Sequence, residues 1–347
     1  MQQIPSPTDD VVFEQRGRCG VITLNRPRAI NALNLPMVDA MRAQLTRWAD
    51  TGTVDAVVLR GAGERGLCAG GDVRRQRELA LGSPADHAEA LRFWHDEYVL
   101  DEQIADYPLP FVAFMDGLVM GGGVGLSINA SCRIVTPVTK VGMPEMTIGF
   151  FPDVGATYRL SRSPGELGTH LVLTGDTLDA AGAIYAGLAD AMVEGPGEFE
   201  TLIDRLAAGD VAWTRDASGV GRSPSAASWE AAREWIDACY VGDDPAEIVR
   251  RLRDHGSPEA ARAAETIASK SPFAVHVALR ALRQAAELDS LRAVLDRDDV
   301  VARHITDEPD FHEGVRAQLV DKDRNPAWRH ASVDDVDPAE VDAVFAP

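Results

Sequence analysis

Residues 111–130 form the most apolar stretch of the chain and are long enough to span a bilayer, yet they contain Asp116-Gly117 and the run Gly121-Gly122-Gly123. An acid, a turn pair and three consecutive glycines interrupt any continuous apolar helix. The stretch therefore predicts a buried strand, a turn and the start of a buried helix. The surroundings repeat that theme. β-Branched runs at 11–16 and 21–24 flank Gly17-Arg18-Cys19-Gly20 and read as a hairpin. A helix follows Pro36, with Met37, Met41 and Leu45 at helical spacing, and residues 55–60 read as a buried strand. A helix over about 86–106 leads into a strand at 111–115, and a further strand covers 133–136. Strands that alternate with helices predict an α/β fold.

From Pro164 onward strand signals disappear, and helices of alanine, leucine and charged residues take over, one of them around 274–288. The run from Asp216 to Ser225 is rich in serine and glycine and is the best linker, dividing the chain into a core at 1–215 and a helical region at 226–347. With 34 basic against 54 acidic residues the formal charge is −20, which argues against nucleic acid and anionic membrane surfaces as partners. Cys19, Cys68, Cys132 and Cys239 are too widely spaced for a disulfide framework or a paired metal motif, which fits a reduced, cytoplasmic setting. The opening MQQIPSPTDDVVFEQRG lacks a basic segment followed by an apolar run, so it predicts no secretory signal and a mature protein beginning there.

Five motifs bear on chemistry. Gly61-Ala62-Gly63-Glu64-Arg65-Gly66 has dinucleotide-fingerprint spacing but runs on into Leu67-Cys68-Ala69-Gly70-Gly71-Asp72, too glycine-rich for the helical turn such a site needs. Each of the turns Ala69-Gly70-Gly71-Asp72 and Gly121-Gly122-Gly123 follows a predicted buried strand and leaves backbone N–H groups uncovered. Two such donors from separate loops make an oxyanion hole, with a helix starting near Gly122 adding positive potential; glycine alone is equally compatible with tight turns or close packing. Glu145, in Met143-Pro144-Glu145, and Asp153, in Phe151-Pro152-Asp153-Val154-Gly155, are acids in apolar surroundings, where burial is costly without a partner or a function. The eight histidines show no metal spacing and read mostly as surface residues, and Ser127 lacks the second glycine of a nucleophile elbow. Arg26, Arg28, Arg74 and Arg75 lie beside loops and are either ligand-phosphate contacts or solvated surface charges.

Together these residues resemble the enoyl-CoA hydratase/isomerase (crotonase) superfamily. The markers are Leu24-Asn25-Arg26-Pro27 with Asn31-Ala32-Leu33, then Cys68-Ala69-Gly70-Gly71-Asp72, then Asp116-Gly117 with Gly121-Gly122-Gly123, then Met143-Pro144-Glu145. The resemblance implies a spiral of ββα units with a helical C-terminal region, and an acyl-CoA as the small-molecule substrate rather than a bound cofactor or metal. It implies an oxyanion hole from the N–H groups of Gly71 and Gly122, with Ala69, Gly70, Asp72, Gly121, Arg26, Arg28 and Ala32 lining the acyl-CoA site. It further implies possible homo-oligomers, trimers or pairs of trimers.

Typical hydratases of the superfamily carry a second catalytic glutamate where this chain has Gly125. By contrast, Ile148-Gly149-Phe150-Phe151-Pro152-Asp153-Val154-Gly155, Glu97-Tyr98, Thr174-Gly175-Asp176 and the late run from Phe311 to Trp328 are similar to the branch that hydrolyses 3-hydroxyisobutyryl-CoA in valine breakdown. On that resemblance Glu145 is the principal catalytic carboxylate, Asp153 handles the substrate hydroxyl or a proton, and Glu97 contacts the hydroxyl end. Departures are Leu67, where an aromatic is common, and Leu295-Asp296-Arg297-Asp298, which bears on C-terminal packing and the acyl pocket. A double-bond isomerase, or a hydratase, acting on an acyl-CoA is the enzymatic alternative. A silent CoA-binding protein is the non-enzymatic one.

Overall fold

The structure is a computed structural model that describes residues 2–346. Ten strands are found among them: β1 (Gln2–Ile4), β2 (Val11–Arg16), β3 (Cys19–Leu24), β4 (Ala56–Gly61), β5 (Gly66–Cys68), β6 (Phe111–Met115), β7 (Leu118–Met120), β8 (Cys132–Val135), β9 (Lys140–Gly142) and β10 (Ala191–Met192). They form a seven-stranded sheet in the order β1-β2-β3-β4-β6-β8-β10 and a three-stranded sheet in the order β5-β7-β9. The expected hairpin is β2–β3, antiparallel from Val11 opposite Leu24 to Arg16 opposite Cys19. From β3 onward every pairing is parallel. In three successive passes, β4–β5, β6–β7 and β8–β9, the chain gives one strand to the large sheet and the next to the small one. Parallel neighbours need crossovers, and helices supply them, which makes the arrangement a spiral of ββα turns.

The helix after Pro36 spans Leu35–Thr51, capped by Asn34, whose side chain accepts from the Met37 N–H, and it buries Met37, Met41 and Leu45. The helix before β6 spans Pro84–Ala105. The fingerprint-like segment joins β4 to β5, strand to strand, and opens no helix. After Pro164 one short strand, β10, does occur: its two residues pair in parallel with β8, too few to leave a pattern in sequence.

Two compact units emerge, and they differ from the division at 216–225. The first comprises residues 1–72, 96–142 and 178–226, and holds every strand; the second comprises 73–95, 143–177 and 227–347, and is helical. Segments 73–95 and 143–177 thus belong with the C-terminal helices. The run at 216–225 is not a free linker either, because Ala217 is buried and Arg222 exchanges backbone hydrogen bonds with Met192, both at 2.9 Å. Among the described residues no helix is long and apolar enough to cross a membrane.

The first unit's core follows from the two-residue period of its strands. Cys19 and Val21, Ala56 and Val58, Val112 and Phe114, and Cys132 and Ile134 present one sheet face to Phe199, Leu202, Ile203 and Leu206 of helix Pro196–Ala207. Phe114 and Phe199 stack with centroids 4.1 Å apart. Cys19 and Cys132 are therefore core residues, and burial pushes both thiols up to about 12. Cys68, wholly buried, is pushed up to about 12 for the same reason.

Two outcomes are expected. Phe199→Ala should lower unfolding stability by about 3–5 kcal/mol in urea titrations, because it opens a cavity beneath the sheet. At pH 8 these neutral, buried thiols should ignore a disulfide reagent in the native protein, while the denatured chain should titrate all four cysteines.

Candidate active site

In the first unit, residues 25–33 lie against the loop 69–72. Asn31 is fully buried with a left-handed backbone (φ 56°), and its amide donates to the carbonyls of Ala62, Gly66 and Leu67 while its Oδ1 accepts from the Arg26 N–H. The Leu33 N–H donates to Gly70 O at 2.8 Å, and the Asp72 N–H donates to Leu33 O at 2.8 Å. The Ala69 N–H donates to Ile30 O, and that of Gly70 to the Cys68 sulfur. Among the described residues the Gly71 N–H has no acceptor, so it is the donor this loop presents.

The second loop opens helix Gly122–Ile128, whose first N–H groups have no preceding helical carbonyl to receive them. The two loops are adjacent: a side chain at Gly70 would have its Cβ 3.3 Å from Met120 O and 3.6 Å from Gly122 N. Glu97 lies against the same place, its Oε1 only 2.1 Å from where a Gly122 Cβ would stand, and it is 1 % exposed. The structure thus brings Gly70, Gly121, Gly122 and Glu97 together. It gives Arg26 and Asp72 to one another, at 3.0 Å, with the guanidinium also donating to Ala32 O. Arg28 is exposed. Arg74 and Arg75, in the second unit, are exposed and pair with Glu78. The Ser127 hydroxyl donates back to Gly123 O at 2.7 Å, as a helix-facing serine does.

In the second unit, Glu145 begins a 3-10 turn, Glu145–Ile148, that ends at Gly149 in the left-handed region (φ 71°). Helix Pro309–Val315 clamps this turn backbone to backbone. A Gly149 Cβ would fall 2.3 Å from Asp310 O, and a Gly314 Cβ 2.4 Å from the Ile148 carbonyl carbon. The Ser271 N–H donates to Met146 O, and Lys270 Nζ donates to the Thr147 hydroxyl at 2.8 Å. Burial pulls the Lys270 ammonium down, with Asp176 opposing. Phe150 and Phe151 anchor the chain beyond this turn: Phe150 stacks on Trp94 at 4.9 Å and meets Phe311 at 5.4 Å. Asp153 comes next, 4 % exposed, succeeded by two left-handed residues, Val154 (φ 52°) and Gly155 (φ 68°). No regular helix connects Glu145 to Asp153, as their intervening proline and glycine imply.

Of the residues that brace this segment, Asp310 escaped the sequence reading, and Arg297 and Asp298 entered it only as a departure bearing on C-terminal packing. Asp310 accepts from the Ser271 hydroxyl at 2.5 Å and from the Arg329 N–H at 2.8 Å. Asp298 is wholly buried and paired with Arg297. A signal existed: Asp298 interrupts the apolar stripe Val294, Val301, Ile305 of helix Leu291–Ile305. The histidines are not all surface residues, since His170 is buried and bonds the Tyr240 hydroxyl at 2.9 Å. Among the described residues no cluster of His, Cys, Asp or Glu could hold a metal ion.

The model of the enoyl-CoA hydratase/isomerase family matches residues 19–345. The chain belongs to that family. A family member from Danio rerio, 3-hydroxyisobutyryl-CoA hydrolase, mitochondrial, is 36% identical over 346 residues, covering 97% of this chain and 89% of its own length. Among solved structures, a carnitinyl-CoA dehydratase from Mycobacterium thermoresistibile superposes with a TM-score of 0.91 at 45% identity, covering 98% of this chain and 97% of the other. An enoyl-CoA hydratase from Rhodobacter sphaeroides 2.4.1 also gives 0.91, at 37% identity and 98% coverage of both chains. The crotonase-like fold expected from the motifs is therefore the fold of this chain.

Gly149→Ala should cost about 2–5 kcal/mol, the sum of an overpacked backbone contact and a left-handed residue with a side chain. Gly219→Ala, where a Cβ meets nothing within 4 Å, should stay within about 0.5 kcal/mol of the parent. Chemical denaturation of the two variants compares them.

Proposed function

We propose that the chain hydrolyses the thioester of a small 3-hydroxyacyl-CoA, 3-hydroxyisobutyryl-CoA above others, releasing free CoA and the hydroxy acid. The carrying observation is the match along 97% of the chain to relatives named for that reaction. Gly125 supports it, being buried in helix Gly122–Ile128 where typical hydratases of the superfamily carry a second acid. In this reading the N–H groups of Gly71 and Gly122 stabilise the thioester oxygen as it gains negative charge. One such donor is worth roughly 3 kcal/mol of transition-state stabilisation.

Glu145 serves either as nucleophile, through a mixed anhydride, or as the base that activates water. In both versions one water is consumed, the C–S bond breaks, the acyl carbon gains an oxygen, from water directly or by way of Glu145, and the departing sulfur of CoA takes a proton. Asp153 hydrogen-bonds the substrate hydroxyl or positions water and protons, Glu97 contacts the hydroxyl end, and an acidic lining suits a neutral hydroxyacyl group better than a charged one. Gly70, Asp72, Ala69, Arg26, Arg28, Ala32 and Gly121 shape the acyl-CoA site, Arg26 and Asp72 through their mutual ion pair. No metal or redox cofactor enters this scheme, since donors and carboxylates suffice for acyl transfer. A role in valine breakdown, a cytoplasmic setting and assembly as a trimer or pair of trimers belong to the same proposal.

Enoyl-CoA hydration or isomerisation is the second reading, and its hydration arm is favoured by the two similar solved proteins, a carnitinyl-CoA dehydratase and an enoyl-CoA hydratase. Thiol release from 3-hydroxyisobutyryl-CoA, with 3-hydroxypropionyl-CoA and crotonyl-CoA in parallel, separates the two. Hydrolysis predicts thiol from the hydroxyacyl esters and a fall of about 10³-fold or more in kcat for Glu145→Ala. Crotonyl-CoA consumed without thiol release would establish the second reading instead.

A further inference from the structure

Asp153 precedes a backbone conformation that its sequence disfavours. Val154 is β-branched, 1 % exposed and left-handed at φ 52°, a region that costs an L residue roughly 1–2 kcal/mol and a β-branched one more. Gly155 continues at φ 68°, a conformation that favours glycine, and a Cβ there would stand 2.5 Å from Leu291 Cδ1 and 3.2 Å from Leu295 Cδ2, so those leucine ends would have to shift. Such a turn persists only where its surroundings over-determine it.

Two interactions do that here: the Ala156 N–H closes the turn onto Asp153 O at 2.9 Å, and an acid from a distant helix holds it from outside. Asp298, on the buried face of helix Leu291–Ile305 and 0 % exposed, accepts the Gly155 N–H on Oδ2 at 3.0 Å. Its other oxygen, Oδ1, accepts from Arg297 at 2.7 Å. Arg297 also donates to the Thr157 hydroxyl at 2.8 Å and to the Ala281 carbonyl, so the pair ties helices Leu291–Ile305 and Pro272–Glu287 to the chain just after the turn. Burial pushes the Asp298 carboxyl up, while Arg297 and the Gly155 N–H oppose that rise. A buried ion pair is a costly way to gain stability. An acid that receives a strained turn's N–H is better placed to fix geometry.

We infer that Asp298 is a positioning residue: through the Gly155 N–H it holds the left-handed Val154–Gly155 turn, and that turn fixes the direction in which Asp153 presents its carboxylate. Arg297 is its counter-charge. The inference rests on the proposed role of Asp153 in hydroxyacyl-CoA hydrolysis for its kinetic readout, and on backbone geometry alone for its structural one.

The test uses the full chain and the variant Arg297→Met/Asp298→Leu, which removes both charges together and so leaves neither buried unpaired. With 3-hydroxyisobutyryl-CoA its kcat should fall roughly 100-fold with KM little changed, as a misplaced catalytic group behaves. Adding Val154→Gly should recover about tenfold in kcat, because glycine adopts the left-handed turn without Asp298 to hold it. That third substitution deletes a buried side chain and must lower the melting temperature further, so rate and stability move in opposite directions. An unchanged kcat in the double variant, or no recovery with Val154→Gly, overturns the inference.

If the wild type releases no thiol from either hydroxyacyl ester, the proposed reaction is what fails, and hydrogen exchange at the Gly155 amide decides the inference. Exchange at least about 100-fold faster in the double variant supports it, by loss of a protecting bond. Equal exchange overturns it.

Discussion

In the first unit everything depends on backbone meeting backbone without side chains between. The small sheet has only three residues per strand; β5 meets β7 where Gly66 faces the Leu118 backbone, and helix Gly122–Ile128 meets β5 where Gly123 faces Cys68 O, and a Cβ would stand 2.4 and 2.6 Å from those atoms. Strands this short contribute little by themselves. Their alignment comes from the large sheet, where β4, β6 and β8 are parallel, buried and pinned by the helix carrying Phe199. Because each pass gives one strand to each sheet, the large sheet's register sets that of the small one. The turns ending β5 and β7 are then the two glycine loops whose N–H donors the proposed reaction uses.

The second unit meets a different constraint, the burial of many acids. Glu145, Asp153, Asp298 and Asp310 are each less than 9 % exposed. Isolated carboxylates in such surroundings cost several kcal/mol each, so they need charge partners, hydrogen bonds or protons. Asp310 and Asp298 show how the cost is offset, through Ser271 and Arg329 for one and Arg297 and Gly155 for the other. These structural acids brace the segment from 145 to 155 on both sides. The aromatic cluster of Trp94, Phe150, Phe151 and Phe311 fills its middle, leaving the two candidate catalytic acids at the ends of a rigid stretch.

Family membership and the chemistry proposed here stand on different observations. The fold is common to proteins titled hydratase, dehydratase and hydrolase, and fold alone does not choose among them. In the proposed reading the choice rests on a few positions: Gly125, which offers no second acid from helix Gly122–Ile128, and Asp153, whose loop is held in an unusual turn. Both choices are local, and both sit on frameworks that the wider family shares.

Much of this was legible in the sequence because it is local. The β2–β3 hairpin, the helix after Pro36, the strand at Phe111–Met115 and the two glycine loops each announce themselves through period, capping or turn residues close in the chain. The motifs also sufficed to identify the family. What the sequence could not disclose depends on contacts between residues far apart. β10 is two residues long and exists only because β8 lies beside it. Segments 73–95 and 143–177 group with the C-terminal helices rather than with their sequence neighbours. The Arg26–Asp72 pair spans 46 positions and the Asp298–Gly155 bond 143. Periodicity records which face of an element is buried, but not which distant group meets it there. That is settled only when the chain closes on itself, and here it decides which acids brace the structure and which are left for chemistry.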